Sequence, residues 1–353
     1  MRVKRSGAIL VFMENDQFVF HDFLGQQTFS ANPIALEIIR NLSVWTDFEG
    51  VVGLLPGYSR QSVHRSVRQL IELGVILEEG SAAADLEADF TQRWLWGPVA
   101  GAYHFGHRDG AFLAADAVDA LLTAQAMFNP SPPLFTRNTD PASDVPLPLG
   151  TYESELFATM ARRRTQRFLA DAPITLQQLS DCLLFSLAIT AIIEDPQISD
   201  LPLKMTPSGG GRNPYEGYVC ARAVTGLAPG TYHYSGFDRT LGAVGAGPPP
   251  AFPELLGGQG WTATAAAVIF LVANFERPMW KYHDPGAYRV TMIEAGHIAQ
   301  NIMLVATRHG LAANPSGALA RGLVEETLGV GGITQAVVYA LVLGVPGAPP
   351  EGA

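Results

Sequence analysis

Lys281 and Tyr282, adjacent in the segment WKYHDPGAYRVTMIEAGHIAQN at 280–301, are the residues of this chain whose pairing points to proton transfer. A phenol with an ordinary pKa of about 10 is a poor base near neutrality, and a neighbouring ammonium favours its ionised form. Two further segments offer a place for a ligand. Arg163, Arg164, Thr165 and Arg167, in ARRRTQRFL at 161–169, gather guanidinium groups and a hydroxyl that can hold a phosphate through forked, charge-assisted hydrogen bonds. Pro207, Ser208, Gly209, Gly210 and Gly211, in TPSGGGRNPYEGYV at 206–219, form a turn whose glycines allow positive φ and close approach of main chain to a planar ring. The chemistry implied is a phosphorylated planar cofactor held beside an acid–base pair. Each motif alone has a plainer reading: a solvated helix end, a surface turn without a ligand, a dipeptide that packs. The glycine turn is not a dinucleotide fingerprint, because no G-x-G-x-x-G joins a strand to a helix here.

In order, spacing and identity, these segments resemble the flavin-dependent dehydrogenases that mature ribosomally made peptides, the azoline-dehydrogenase branch of the nitroreductase superfamily. The resemblance runs from about residue 150 to residue 346. Thr165 stands where the branch has serine. Gly211 stands where common nitroreductases place asparagine, as it does in the peptide-maturing branch. The resemblance implies an α+β nitroreductase-like FMN-binding fold, a mostly antiparallel sheet flanked by helices, preceded by a winged-helix-like module. It implies FMN held by Arg163, Arg164, Thr165, Arg167 and the Pro207–Gly211 turn, with Pro315, Ser316 and Gly317, in the loop GLAANPSGAL at 310–319, against the flavin's face or edge. Flavin sites in this family are built from two subunits, so a homodimer is implied. The implied reaction is oxidation of a peptide thiazoline or oxazoline to the azole. In it Tyr282, assisted by Lys281, removes the Cα proton while hydride leaves Cβ for the flavin and dioxygen reoxidises it. The implied partners are a precursor peptide and cyclodehydratase or dehydratase enzymes. Two alternatives stay open: a flavin-dependent reductase of dehydroalanine or dehydrobutyrine in a peptide, and a non-enzymatic peptide-binding partner in a maturation complex.

Composition sets the outer limits. A chain of 353 residues exceeds the usual single-core range, and 48% apolar with 16% charged residues describes a well-buried globular protein. With 33 acidic against 23 basic side chains and a net charge of −10, it lacks the basic face of a general nucleic-acid binder. The N-terminus lacks a signal peptide's long apolar region, and no uncharged stretch of about 18 apolar residues occurs, so no membrane span is expected. Cys182 and Cys220 lie in apolar sequence without metal-ligand spacing and read as reduced core thiols of a cytoplasmic protein. His104 and His107 lack further ligands nearby, so no metal site is expected.

The elements that must position these residues fall into three stretches. Residues 1–80 read as a winged-helix-like module: two strands around Asn15-Asp16, a helix after Pro33, a short helix over Phe48–Leu55, a third capped by Ser59 and stopped by Gly74, then VILEE as a strand. The third helix carries Arg60, His64, Arg65 and Arg68, but its acidic surroundings disfavour DNA. Peptide-leader binding by strand addition and a purely structural or dimerising role are the leading readings, with DNA binding the third. Residues 81–150 read as a connecting helical segment, a tryptophan-rich stretch in which Trp94, Trp96 and Tyr103 pack, and a linker with six prolines from 129 to 150. Residues 151–346 hold the FMN domain: a helix near Leu176, a strand in YEGYVCARAV, a hairpin bending at Gly230 and Gly236, and AAAVIFLVANF as a strand buried on both faces. Lys281 and Tyr282 are expected on a loop entering a long helix that starts near Ala287. Glu294 and His297, three apart on that helix, read as packing or supporting residues, and Glu194-Asp195 as a solvated helix end.

Overall fold

In the computed structural model, residues 1–349 are described apart from 32, 110–111, 114, 130–146, 149, 151–152, 195–199 and 246. The first strand, β1 (Arg2–Arg5), is followed by a hairpin of β2 (Ile9–Glu14) and β3 (Gln17–Asp22), then by β4 (Gln27–Ala31). Asn15 and Asp16 take φ of 46° and 62°, the left-handed pair that a two-residue hairpin needs and that these side chains tolerate. Next come α1 (Pro33–Asn41), β5 (Thr46–Asp47), α2 (Phe48–Gly53), α3 (Arg60–Glu72) and β6 (Ile76–Glu78). Ser59 Oγ accepts from Ser62 N at 3.2 Å to cap α3, which buries Val63, Val67 and Leu70 and is followed by Gly74 at φ 73°. β1 lies between β5 and β6, while β2, β3 and β4 form a second small sheet in that order. β1 and β4 were not legible beforehand, because RVKR and QTFSA carry no strand-like apolar alternation and acquire their conformation from their neighbours.

The chain continues through α4 (Ala82–Arg93), α5 (Gly97–Phe105), α6 (Ala115–Phe128) and α7 (Glu155–Arg162), and most of the proline-rich run lies outside the described residues. Then follow β7 (Leu169–Ala170), β8 (Ile174–Thr175), α8 (Leu176–Leu187), β9 (Ile189–Ile193), β10 (Leu201–Lys204) and β11 (Tyr215–Ala221). Thr175 and Gln178 form a capping box that starts α8. After these come β12 (Val224–Thr225), β13 (Gly230–Ser235), β14 (Thr240–Ala243), α9 (Phe252–Leu255), β15 (Ala267–Asn274) and α10 (Glu276–Lys281). The last elements are α11 (Gly286–Arg308), β16 (Ala312–Ser316), α12 (Arg321–Leu328) and β17 (Gln335–Pro346).

The main sheet has the order β14-β13-β11-β15-β17-β16, antiparallel throughout, with β7 added to the end of β17. β15 is buried from Ala267 to Ala273 because its two faces serve two cores. Ile269 and Leu271 pack with Leu183 of α8 and Ile298 and Ile302 of α11, whereas Val268 and Phe270 pack with Leu255, Val324 and Leu328 under α9 and α12. A strand covered on both sides reads as an unbroken apolar run. Two expectations need correction. Residues 189–193 form a strand paired with β10 rather than leading to a helix end, and 312–316 form the edge strand β16 rather than a loop. In both, hydrogen bonding to another strand, β10 for the first and β17 for the second, decides the conformation.

The 94–105 segment is fastened to the main domain by a buried polar chain. Glu325, 2% exposed, accepts from Arg321 Nε at 2.7 Å, Arg108 Nη2 at 2.7 Å and Val337 N at 3.2 Å. Arg321 Nη2 lies 2.8 Å from His104 Nε2, which must therefore accept, so Nδ1 carries the proton and donates to Tyr288 Oη at 3.0 Å. Burial, aided by Arg321 and Arg108, holds the His104 pKa well below its ordinary value, consistent with this neutral ring. Glu325→Ala would strand two guanidinium groups, one of them buried, and should cost about 3–5 kcal/mol. Removing the exposed Arg2–Glu79 pair should change urea unfolding very little, and equal losses from both changes would refute the ranking.

Candidate functional site

Two motifs seventy residues apart meet at one point. The Pro207–Gly211 turn leads into β11, and α10 leaves the end of β15, its antiparallel partner; Tyr215 pairs with Ala273, and Asn274 N donates to Pro214 O at 2.7 Å. The start of one strand and the end of the other therefore coincide. Lys281 Nζ donates to Gly210 O at 3.3 Å, and the Tyr282 ring lies against the same glycine. Gly210 has φ 61°, and a Cβ there would collide with the Tyr282 hydroxyl; one on Gly209 would lie 2.9 Å from Val290. The glycines thus admit Tyr282 and α11 as well as any ring that approaches from outside.

The pair does not sit on a loop: Lys281 is the last residue of α10 and Tyr282 its C-cap. Ending a short helix, both side chains still reach one locality. Their backbone is braced by a segment that sequence reasoning assigned to packing alone. Arg93 Nη2 donates to Glu276 Oε1 and to Thr334 Oγ1, both at 2.6 Å, and Leu95 N approaches Met279 Sδ at 3.3 Å. Trp96 Nε1 donates to Tyr282 O at 2.8 Å. Trp94 and Trp96 are also buried, as expected, but Tyr103 is exposed. The WLWG spacing was the only signal of this brace, and it does not distinguish a hydrogen-bonding indole from a merely packed one.

Tyr282 opens on a cavity of about 280 Å³ whose walls include Gly209, Pro214, Ala287, Val290 and Glu294. Glu294, 5% exposed, accepts from Gly209 N at 3.2 Å and from the Ser208 hydroxyl, so it holds the glycine turn against α11; His297, by contrast, is exposed. Burial raises the Glu294 pKa, with the Ser208 and Gly209 bonds pulling it partly back.

The cationic segment lies elsewhere. Gln166 N donates to Asn314 Oδ1 at 2.9 Å and Asn314 Nδ2 to Gln166 O at 2.6 Å, which straps 163–167 to β16. Arg163, Arg164, Thr165 and Arg167 are thereby brought near Pro315, Ser316 and Gly317. Among the described residues Arg163, Arg164 and Arg167 make no ion pair; Arg164 bonds main-chain oxygens of 161 and 163, and the Arg167 guanidinium lies 6.0 Å from the Trp261 ring. Such guanidinium groups with a nearby hydroxyl fit a phosphate. Ser316 is buried and its hydroxyl accepts from Gln259 Nε2 at 2.7 Å, so Gly317, exposed at a second cavity of about 550 Å³, is better placed to meet a ligand. Ser316 pairs with Ala340, Ala340 with Phe270 and Phe270 with Tyr218, so this cluster is three strands, about 14 Å, from Tyr218 of β11, and the glycine turn lies beyond the start of that strand. One chain thus presents two clusters rather than one continuous cradle. Among the described residues no group of three or more His, Cys, Asp or Glu is arranged to hold a metal, and no helix is long and apolar enough to cross a membrane. Cys182 and Cys220 are free and buried, their thiol pKa values pushed up to about 12 and about 11.

Glu294→Ala should cost about 1–3 kcal/mol by leaving the Gly209 N–H without its acceptor, whereas Glu294→Gln keeps an acceptor. The sign with pH follows from the raised folded pKa: the protonated carboxyl is favoured in the fold, so its stabilisation is full below the ordinary value of 4.5 and is lost as pH rises through the raised one. The melting temperature of wild type should therefore fall relative to Glu294→Gln over that rise. A constant difference would show that the carboxyl's pKa is not raised.

Residues 160–345 match the Nitroreductase family, which is over half of the chain. A protein of Methanocaldococcus jannaschii described as a nitroreductase is 31% identical over 179 residues, covering 50% of this chain and 85% of that protein. The trifolitoxin-processing protein TfxB of Rhizobium leguminosarum bv. trifolii is 26% identical over 214 residues, 58% of this chain and 57% of that protein. Among solved structures, a chain of the E. coli microcin synthetase McbBCD complex with truncated pro-MccB17 bound shares the fold, with a TM-score of 0.54 and 18% identity over 76% of this chain and 99% of that one. The chain belongs to the nitroreductase family, an oxidoreductase family, and within it is similar to the peptide-maturing branch.

Proposed function

We propose that this protein is an FMN-dependent dehydrogenase of peptide maturation that oxidises a peptide thiazoline or oxazoline to the aromatic azole. The observation that carries the reading is the closure of Lys281 and Tyr282 on Gly210, which sets an ammonium and a phenol together at the glycine turn. Likeness to the trifolitoxin-processing protein supports a peptide as substrate, and the fold shared with the microcin synthetase chain supports partner enzymes. FMN, when bound, supplies the two-electron acceptor. Arg163, Arg164, Thr165 and Arg167 would hold its phosphate, and Gly317 and the Pro207–Gly211 turn would contribute to the rest of its site. The working unit in this reading is a homodimer, because flavin sites in this family are built from two subunits.

The chain's own residues handle the proton. The Tyr282 oxygen takes it from the substrate Cα, Lys281 stabilises the phenolate, and Trp96 fixes the tyrosine backbone through its carbonyl. Pro214, Ala287 and Val290 keep the cavity wall apolar. The first 80 residues serve as the peptide's docking module: β2 is an edge strand with Val11, Phe12 and Met13 exposed, the surface on which an extended leader adds a strand.

Two measurements test the reading. The purified protein should be yellow and release FMN on denaturation, and replacing Arg163 and Arg167 by Ala should lower its flavin content at least tenfold; FAD as the released flavin, or no flavin, sinks the assignment. Tyr282→Phe and Lys281→Ala should each slow turnover by about 10²–10⁴ with FMN retained. Peptide mass gives the direction, a loss of two hydrogens for azoline oxidation and a gain of two for reduction of a dehydroamino acid. Near-wild-type turnover by both variants removes the pair from the mechanism.

A further inference from the structure

On the other side of the glycine turn from Tyr282 lies a separate cavity of about 440 Å³, formed where β11 begins and β13 ends. Among the described residues its charged lining is Lys204, Arg212, Arg277, Asp200 and Glu216, three cations against two carboxylates, with His233 beside them. Both Glu216 oxygens are engaged, Oε1 by Arg277 Nη2 and Oε2 by His233 Nε2 at 3.2 Å, so neither is left for Lys204. Arg277 Nη1 is held by Asn213 O at 2.8 Å, which fixes the guanidinium at the wall.

Lys204 is the group left short. Its ammonium has three donors, and among the described residues it makes one hydrogen bond, a long one of 3.4 Å to Tyr215 O. Burial pushes its pKa down and the nearby carboxylates only partly restore it. An ammonium short of partners is costly, and here it stands at the wall of a cavity. Its volume lies in the range of ligand sites and admits one or two amino-acid residues.

Location supplies the rest. Gly211 and Trp280 line this cavity, while their neighbours Gly210 and Lys281 form the contact beside Tyr282, so the two cavities share a wall about one residue thick. An extended peptide advances about 3.3 Å per residue, so one bound at Tyr282 reaches the second cavity within about three residues. We propose that this cavity is a subsite for a carboxylate of the substrate peptide, an Asp or Glu side chain or the C-terminus, a few residues from the atom that reacts. The inference rests on the peptide reading above, and it adds that this face of the site selects an acidic neighbour.

The test is a calorimetric titration of the protein as purified with acetyl-Gly-Glu-Gly-amide, its Gln counterpart, acetyl-Gly-Gly-Gly with a free C-terminus, and inorganic phosphate. At least one carboxylate peptide should bind tenfold or more tightly than the Gln peptide, and which of the two does so identifies the source of the carboxylate. Lys204→Gln and higher salt should each remove that preference. Equal binding of Glu, Gln and free-carboxylate peptides, equal displacement by phosphate, or no binding by any of them overturns the subsite; the comparison on unaltered protein stands even if Lys204→Gln folds poorly. Carboxylate preference in a protein that holds no flavin would overturn the redox reading and leave the subsite, while azoline turnover without carboxylate preference would do the reverse.

Discussion

The pairing of β11 with β15 is the constraint on which the candidate site depends. Tyr215 lies opposite Ala273, and the bond from Asn274 N to Pro214 O closes the ladder at its end. Whatever precedes β11 must then sit beside whatever follows β15. The glycine turn precedes the one and Lys281-Tyr282 follows the other, so their encounter is set by strand register. A register slip of one residue would turn β15's two apolar faces inside out, and the burial of Ile269 and Leu271 on one side and Val268 and Phe270 on the other resists it.

The same logic governs the cationic cluster. The 163–167 segment leads into β7, which pairs with the end of β17, and Asn314 of the neighbouring β16 fastens it through two hydrogen bonds. That cluster is fixed to the far edge of the sheet just as the glycine turn is fixed at β11. The separation of the two is a property of strand order.

The region ahead of the family domain is joined to the site by more than linkage. Glu87, 5% exposed, accepts from Lys4 Nζ at 2.9 Å and Gly7 N at 3.0 Å, tying α4 to the N-terminal strands. The residues at and just after the end of α4, Arg93, Leu95 and Trp96, meet Glu276, Met279 and Tyr282 in turn. A contiguous set of bonds thus runs from the module proposed to dock a peptide to the residue proposed to move its proton. Tyr288, bonded to His104, secures the start of α11 in the same aromatic cluster.

Local chemistry made part of this legible in the sequence. The Asn15-Asp16 turn, the Ser59 cap, the α8 start at Thr175-Leu176 and the doubly buried run of β15 each follow from near neighbours, since turn dihedrals, caps and apolar periodicity are set within a few residues. The motif residues were visible too, because glycines, arginines and a Lys-Tyr pair declare their chemistry by type. Only the tertiary structure decided that Lys281 and Tyr282 end a helix, that 312–316 is an edge strand, that Ser316 is turned to Gln259, and that Trp96 and Glu294 support the site. All but the helix end, which Tyr282 N closes on Pro278 O, are hydrogen bonds to residues far away in the chain. Such bonds depend on which strands become neighbours, and strand order is chosen by the burial of whole faces, a sum over the molecule that no short window of sequence contains.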